Sequence, residues 1–119
     1  MVDSKELVNS IIEGIQELKG KGIVSIDLTE IENCICSYFV VCNGDSNTHV
    51  SSIADSVLNY VRENNNDKPI AKDGFENSEW IALDYGDVIV HVFQRHAREY
   101  YNLEGLWEDG KVSVIEDLN

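Results

Sequence analysis

The chain predicts an α/β domain: a mixed sheet of about five strands flanked by helices. Three observations carry that prediction. Apolar residues recur at helical spacing in two separate stretches, β-branched runs lie between and after them, and a short Asp/Gly connection joins the last two runs. With 119 residues, 43% of them hydrophobic, the chain is expected to form a single domain over 1–119. Its core is expected at about 5–109, followed by an acidic tail at about 110–119.

Asp3 followed by Glu6 resembles a capping box, and Leu7, Ile11, Ile15 and Leu18 then repeat at helical spacing up to Gly20 and Gly22. Ile23 to Leu28 reads as a strand, and Tyr38 to Asn43 as a second, fully apolar one. After Gly44, Ser46 or Asn47 can cap a second helix whose apolar face is Val50, Ile53, Ala54, Val57, Leu58 and Val61. That helix ends in the polar run Glu63 to Asp67. Pro69 opens a short third strand, Ile70 to Lys72, and the order strand, helix, strand implies a parallel pair. Glu79 to Leu83 and Val88 to Phe93 are joined by Asp84-Tyr85-Gly86-Asp87, a hairpin signature, so the sheet is mixed. Val88, Val90 and Val92 alternate with Ile89, His91 and Phe93, which puts apolar cover on both faces of the last strand. A short third helix is expected at about Arg95 to Tyr101.

Charge excludes several function classes. Twenty-two acidic residues against 9 basic ones give a net charge of −13. Nucleic-acid binding as a main activity needs clustered Lys and Arg, and the basic residues here are scattered. Adhesion to an anionic membrane fails for the same reason, and no apolar run approaches the length of a membrane span. An acidic protein is steered towards basic partners. No N-terminal stretch has the order of a signal peptide, so the chain reads as cytoplasmic with reduced thiols. Cys34-Ile35-Cys36 has one intervening residue, which fits neither a redox motif nor a usual zinc half-site, and Cys42 reads as a small core residue. Neither a metal nor a cofactor is expected.

Two stretches invite a catalytic reading. Asp84, Asp87 and His91 fall close together, but a hairpin makes both aspartates turn residues and points His91 into an apolar layer. Gly44-Asp45-Ser46 leads from a strand into a helix N-terminus, where a phosphate can sit. Asp45 adds repulsion there, and the paired carboxylates of a two-metal site do not follow. Ser46 is then a helix cap, and His49 faces solvent or supports the turn. The aromatics point elsewhere. Ile81 and Leu83 claim the core, leaving Trp80 on a strand face shared with Asp84, while Tyr100, Tyr101, Leu103 and Trp107 cluster near Arg98, Glu99 and Glu104. Large aromatics with arginine, ringed by acids, are anchors of protein interfaces.

These residues also carry a resemblance. Tyr38-Phe39-Val40-Val41-Cys42-Asn43-Gly44, Ser46, His49, Gly74, Glu79-Trp80, the run Asp84 to Phe93, and Arg98-Glu99-Tyr100-Tyr101 with Leu103-Glu104-x-Leu106-Trp107 closely resemble the ribosomal silencing factor family (RsfS, Iojap-like). The resemblance implies a nucleotidyltransferase-like fold without catalytic carboxylates, hence no enzyme. It implies a homodimer that docks on the large ribosomal subunit through the universal large-subunit protein fourteen, a basic protein at the joining face. Docking there blocks the small subunit and represses translation under nutrient limitation. Carried over residue by residue, the docking surface comprises Trp80, Asp84, Tyr85, Arg98, Tyr100, Tyr101 and Leu103. Two rivals from other classes stand beside it: a divergent nucleotidyltransferase-like enzyme using Ser46, His49 and Asp84, and a plain homodimeric adaptor that self-associates through the aromatic cluster.

Overall fold

In the computed structural model, residues 3–32, 34 and 36–117 are described; Ile35, between the two cysteines, and the last residues of the expected tail fall outside that set. Asp3 caps the first helix, α1 (Ser4–Glu17), its carboxylate accepting the Lys5 amide proton at 3.1 Å. β1 (Lys21–Asp27) and β2 (Tyr38–Gly44) follow, then α2 (Asn47–Asn65), capped by Ser46 Oγ on the His49 amide. Asn66, left-handed at φ 50°, closes α2 inside the polar run that predicts its end. The remaining elements are β3 (Ala71–Asp73), β4 (Trp80–Asp84), β5 (Val88–Gln94), α3 (Arg95–Tyr101), the short α4 (Leu103–Leu106) and β6 (Lys111–Val114).

The expected mixed sheet is present, with six strands rather than about five, in the order β3-β4-β5-β2-β1-β6. The extra strand corrects the reading of 110–119 as a tail. Val112 and Val114 alternate with Lys111 and Ser113, and β6 pairs antiparallel with β1 so that Val112 faces Ile26 and Val114 faces Val24. A second correction concerns the parallel pair. β2 runs parallel to β5, with Val40 opposite Val90 and Cys42 opposite Val92, while β3 lies at the far edge against β4. The reason is burial: all three residues of β3 are exposed, whereas β5 buries side chains on both faces and belongs in the middle.

The two faces are covered unequally. α1 and α2 pack on one, where Ile11, Ile15, Val50, Ile53, Val57 and Val90 are fully buried. The other carries a smaller core around Phe39, Val41, Phe93 and Ala97, closed by the half-buried Trp80, Leu103 and Trp107. Among the described residues, α3, α4 and Ile31, Cys34 and Cys36 after β1 roof this second face. Its apolar surface is therefore incompletely covered, and that face carries the candidate site.

Candidate functional site

The site begins with strand alternation. Trp80 and Asp84 lie on the second face because Ile81 and Leu83 point to the helices. Trp80 pairs across the ladder with Phe93, and the two rings stack with centroids 5.0 Å apart. Tyr101 leans on the same indole at 4.9 Å, and Tyr100 meets Tyr101 edge-on at 5.1 Å. Behind Trp80, the indole N–H donates to His91 Nδ1 at 3.0 Å, and Phe39 stands edge-on to the imidazole at 4.9 Å. The aromatic layer thus runs from buried Phe39, His91 and Phe93, through half-buried Trp80, to Tyr101 and the 81%-exposed Tyr100 at the surface. A rigid base with an exposed end is the form a binding anchor takes.

His91 is the buried core group that its alternation predicts. Because the indole donates to Nδ1, the neutral ring carries its proton on Nε2. Burial pushes its pKa down to about 4, so it remains uncharged at neutral pH. Asp84 is half-buried, and its carboxylate accepts the Gly86 amide at 2.8 Å, fixing the hairpin.

The phosphate-binding alternative meets a filled turn. At the start of α2, the Asp45 amide donates to His49 Nδ1, the Thr48 amide to Asn47 Oδ1, and the His49 amide to Ser46 Oγ, all at 2.9–3.1 Å. His49 Nε2 reaches the Leu18 carbonyl at 2.6 Å, tying this turn to the end of α1. These amides already have partners within the chain, so an anion would have to displace them. Burial raises the Cys36 and Cys42 thiols to about 12, keeping both protonated and unreactive.

Two of the expected docking residues need correction. Tyr85, though in a hairpin, is only 7% exposed and belongs to the helix-side core; burial, then the Asp67 charge, raises its phenol pKa. Little of its surface is left for a partner. Arg98 is turned inward and bonded to the chain's own Gly22, Asn43 and Glu104. Trp80, Tyr100, Tyr101 and the half-buried Leu103 are brought together on the second face, while Asp84 sits at the other end of β4. Leu106, 74% exposed on α4, stands in the stretch that carries the family resemblance but is not among the expected docking residues. Its signal was the apolar pair of Leu103 and Leu106 three residues apart, too short a period to weigh alone.

Comparison with known proteins gives a consistent result. A family model described as "Ribosomal silencing factor during starvation" matches residues 2–119. The chain is 34% identical to the ribosomal silencing factor RsfS of Chromobacterium violaceum over 112 residues, covering 94% of this chain and 90% of that protein. Identity to the RsfS of Halalkalibacterium halodurans is 30%, covering 98% of both chains. A crystal structure of a Chromobacterium violaceum protein superimposes with a TM-score of 0.85 at 33% identity, covering 95% of this chain and 92% of the other.

Proposed function

This chain belongs to the ribosomal silencing factor family, RsfS, which sets it among ribosome-associated translation regulators, and on that premise we propose that it docks on the large ribosomal subunit through the second sheet face. Trp80, Tyr100, Tyr101 and Leu103 form the centre of the docking surface, Leu106 extends it, and Asp84 lies at its margin. In this reading the receptor is the universal large-subunit protein fourteen, and occupying it keeps the small subunit from joining when nutrients are short. The chain acts in the cytoplasm, self-associates as a homodimer, and represses by occupancy rather than by catalysis.

The observation that supports this most is the aromatic layer that ends in exposed Tyr100 beside half-exposed Tyr101, anchored from behind by Trp80 and Phe93. Exposed aromatics on a rigid base are costly to leave in water and bind well when desolvated. The net charge of −13 complements a basic receptor. The test is co-sedimentation of the folded protein with separated large and small subunits at moderate salt. Pelleting with the large subunit alone, together with inhibition of subunit joining, is the expected result. Absence of pelleting, or equal pelleting with both subunits, overturns the proposal.

A further inference from the structure

We infer that Arg98 is a positioning residue: it does not meet the ribosome itself but sets the orientation of the α3–α4 corner that presents Tyr100, Tyr101 and Leu106. This rests on the docking face proposed above and specifies how that face is held. The guanidinium is the hub of a partly buried network. Nε and the terminal nitrogen Nη2 grip both Glu104 oxygens, at 2.8 and 3.0 Å, in a bidentate fork. Nη1 donates to the Gly22 carbonyl at 2.6 Å and to Asn43 Oδ1 at 2.9 Å. One side chain, itself only 15% exposed, therefore joins β1, β2, α3 and α4.

The surroundings are built for this guanidinium. Gly22 has φ +59°, and a Cβ added there would lie 2.6 Å from Nη1 and 2.9 Å from Asn43 Oδ1. Glycine is thus required twice, for backbone conformation and for room. Beyond Tyr101 packed on Trp80 and Phe93, the corner has little else to hold it. α3 buries only Ala97 and α4 buries no residue, and the turn between them, Asn102, is left-handed at φ 45° with no side-chain cap bond. Apart from half-buried Leu103 and Trp107, the grip of Arg98 on Glu104 is what ties α4 to the sheet. Segments with so few buried contacts open at low free energy. Lysine cannot replace the fork, because a single ammonium does not span a carboxylate and a carbonyl on separate elements.

An open groove of about 470 Å³ borders Gly22, Asn43 and Arg98, so the rival explanation is that the guanidinium edge touches the receptor directly. A double-mutant cycle separates the two. Large-subunit affinity is measured well below the unfolding temperature for wild type, Arg98→Lys, Tyr100→Ala/Tyr101→Ala, and the combination. If Arg98 acts through Tyr100 and Tyr101, Arg98→Lys weakens docking about tenfold alone and less than about twofold in the Tyr100→Ala/Tyr101→Ala background. Amide exchange over 102–107 should also accelerate, with α2 unchanged. Additive losses, wild-type affinity in Arg98→Lys, or unchanged exchange over 102–107 overturns the positioning role. Should Arg98→Lys fail to fold, Glu104→Gln weakens the same grip while sparing the contacts to Gly22 and Asn43, and the cycle is run with it. Wild-type affinity in the Tyr100→Ala/Tyr101→Ala protein refutes the docking face and, with it, the role of Arg98, whereas loss of docking with additive effects refutes the role of Arg98 alone.

Discussion

His91 stays neutral because protonating it would put a charge into the aromatic layer, 6% exposed, and force a second donor against the Trp80 indole N–H. The folded-state pKa of about 4 lies below the ordinary 6.5, so between those values the unfolded chain binds the extra proton. The contribution of His91 is then fully present above about pH 6.5 and is lost as pH falls towards 4. At about 1.4 kcal/mol per unit this amounts to roughly 3 kcal/mol. Carboxylate titration and relief of the −13 charge act over the same range, so the measurement is a difference: thermal midpoints of wild type and His91→Gln between about pH 7.5 and about pH 4.5. Wild type should lose more stability on acidification than the variant, and parallel curves would refute the assignment. The exposed end of the layer gives the binding counterpart. Tyr100→Ala and Trp80→Ala should each weaken large-subunit docking by more than about 2 kcal/mol, while Glu116→Ala changes it little. Unchanged affinity in either folded aromatic variant removes that residue from the surface. Sequence alternation put His91 into an apolar layer and Trp80 on the strand face opposite Ile81 and Leu83, and the structure brings the two side chains into contact on the second face. The family resemblance put Tyr85 on the docking surface, whereas tertiary packing beside Leu7, which leaves no trace in the hairpin's own residues, buries it. For Arg98 the sequence supplied a cation near aromatics, but the inward carbonyl of Gly22 lies 76 residues away and leaves no local trace.

At the scale of elements, the legible parts were those with a long period. α1, α2 and the apolar strands β2 and β5 announce themselves through many repeats, and Ser46 and Asn66 bound α2 through cap and turn chemistry. β6 was hidden because four residues among acids make a weak alternation, and its pairing with β1 is decided by the apolar Val24 and Ile26 waiting at that edge. β3 could be recognised as a strand but not placed, since its position depends on what it fails to bury. One close contact between elements supports a further prediction. Gly14 of α1 lies so near α2 that a Cβ would stand 2.9 Å from Val57 Cα and 3.2 Å from the Ser56 carbonyl oxygen, and Ser56 Oγ donates to the Gly14 carbonyl at 2.7 Å. Gly14→Ala gains about 1 kcal/mol of helix propensity. Overpacking against a backbone atom costs about 1–3 kcal/mol, and a backbone cannot rotate aside, so the net effect should be destabilisation. A lowered urea midpoint with an unchanged slope is expected, and a raised midpoint would show that the helices separate easily.

For the whole molecule, the sign of the salt effect on docking decides which field dominates. The charge of −13 is repelled by ribosomal RNA and attracted by a basic ribosomal protein, and the two forces predict opposite responses to screening. If long-range repulsion from RNA governs the encounter, added salt should speed association and tighten docking. If the complementary field of a basic receptor governs it, added salt should slow association and weaken docking. Contacts of the proposed aromatic anchors act over a few ångströms and are insensitive to either field, so on this reading they set the dissociation rate and leave it nearly constant. The proposed docking face is not itself uncharged: Glu99 is exposed beside Tyr100, and Glu108 and Asp109 are exposed just beyond α4, which makes the local field beside these aromatics negative. On the proposed reading, a negative rim around an aromatic centre calls for a basic rim on the receptor. The expected outcome is therefore weaker docking as salt rises from about 0.05 to about 0.3 M, carried mainly by the association rate, since screening shortens the reach of these charges to under about 10 Å. Stopped-flow association and dissociation on isolated large subunits reads both rates. A salt-independent affinity would point to anchoring by the aromatic layer alone, one that tightens with salt to repulsion from RNA, and either would contradict steering by a basic receptor.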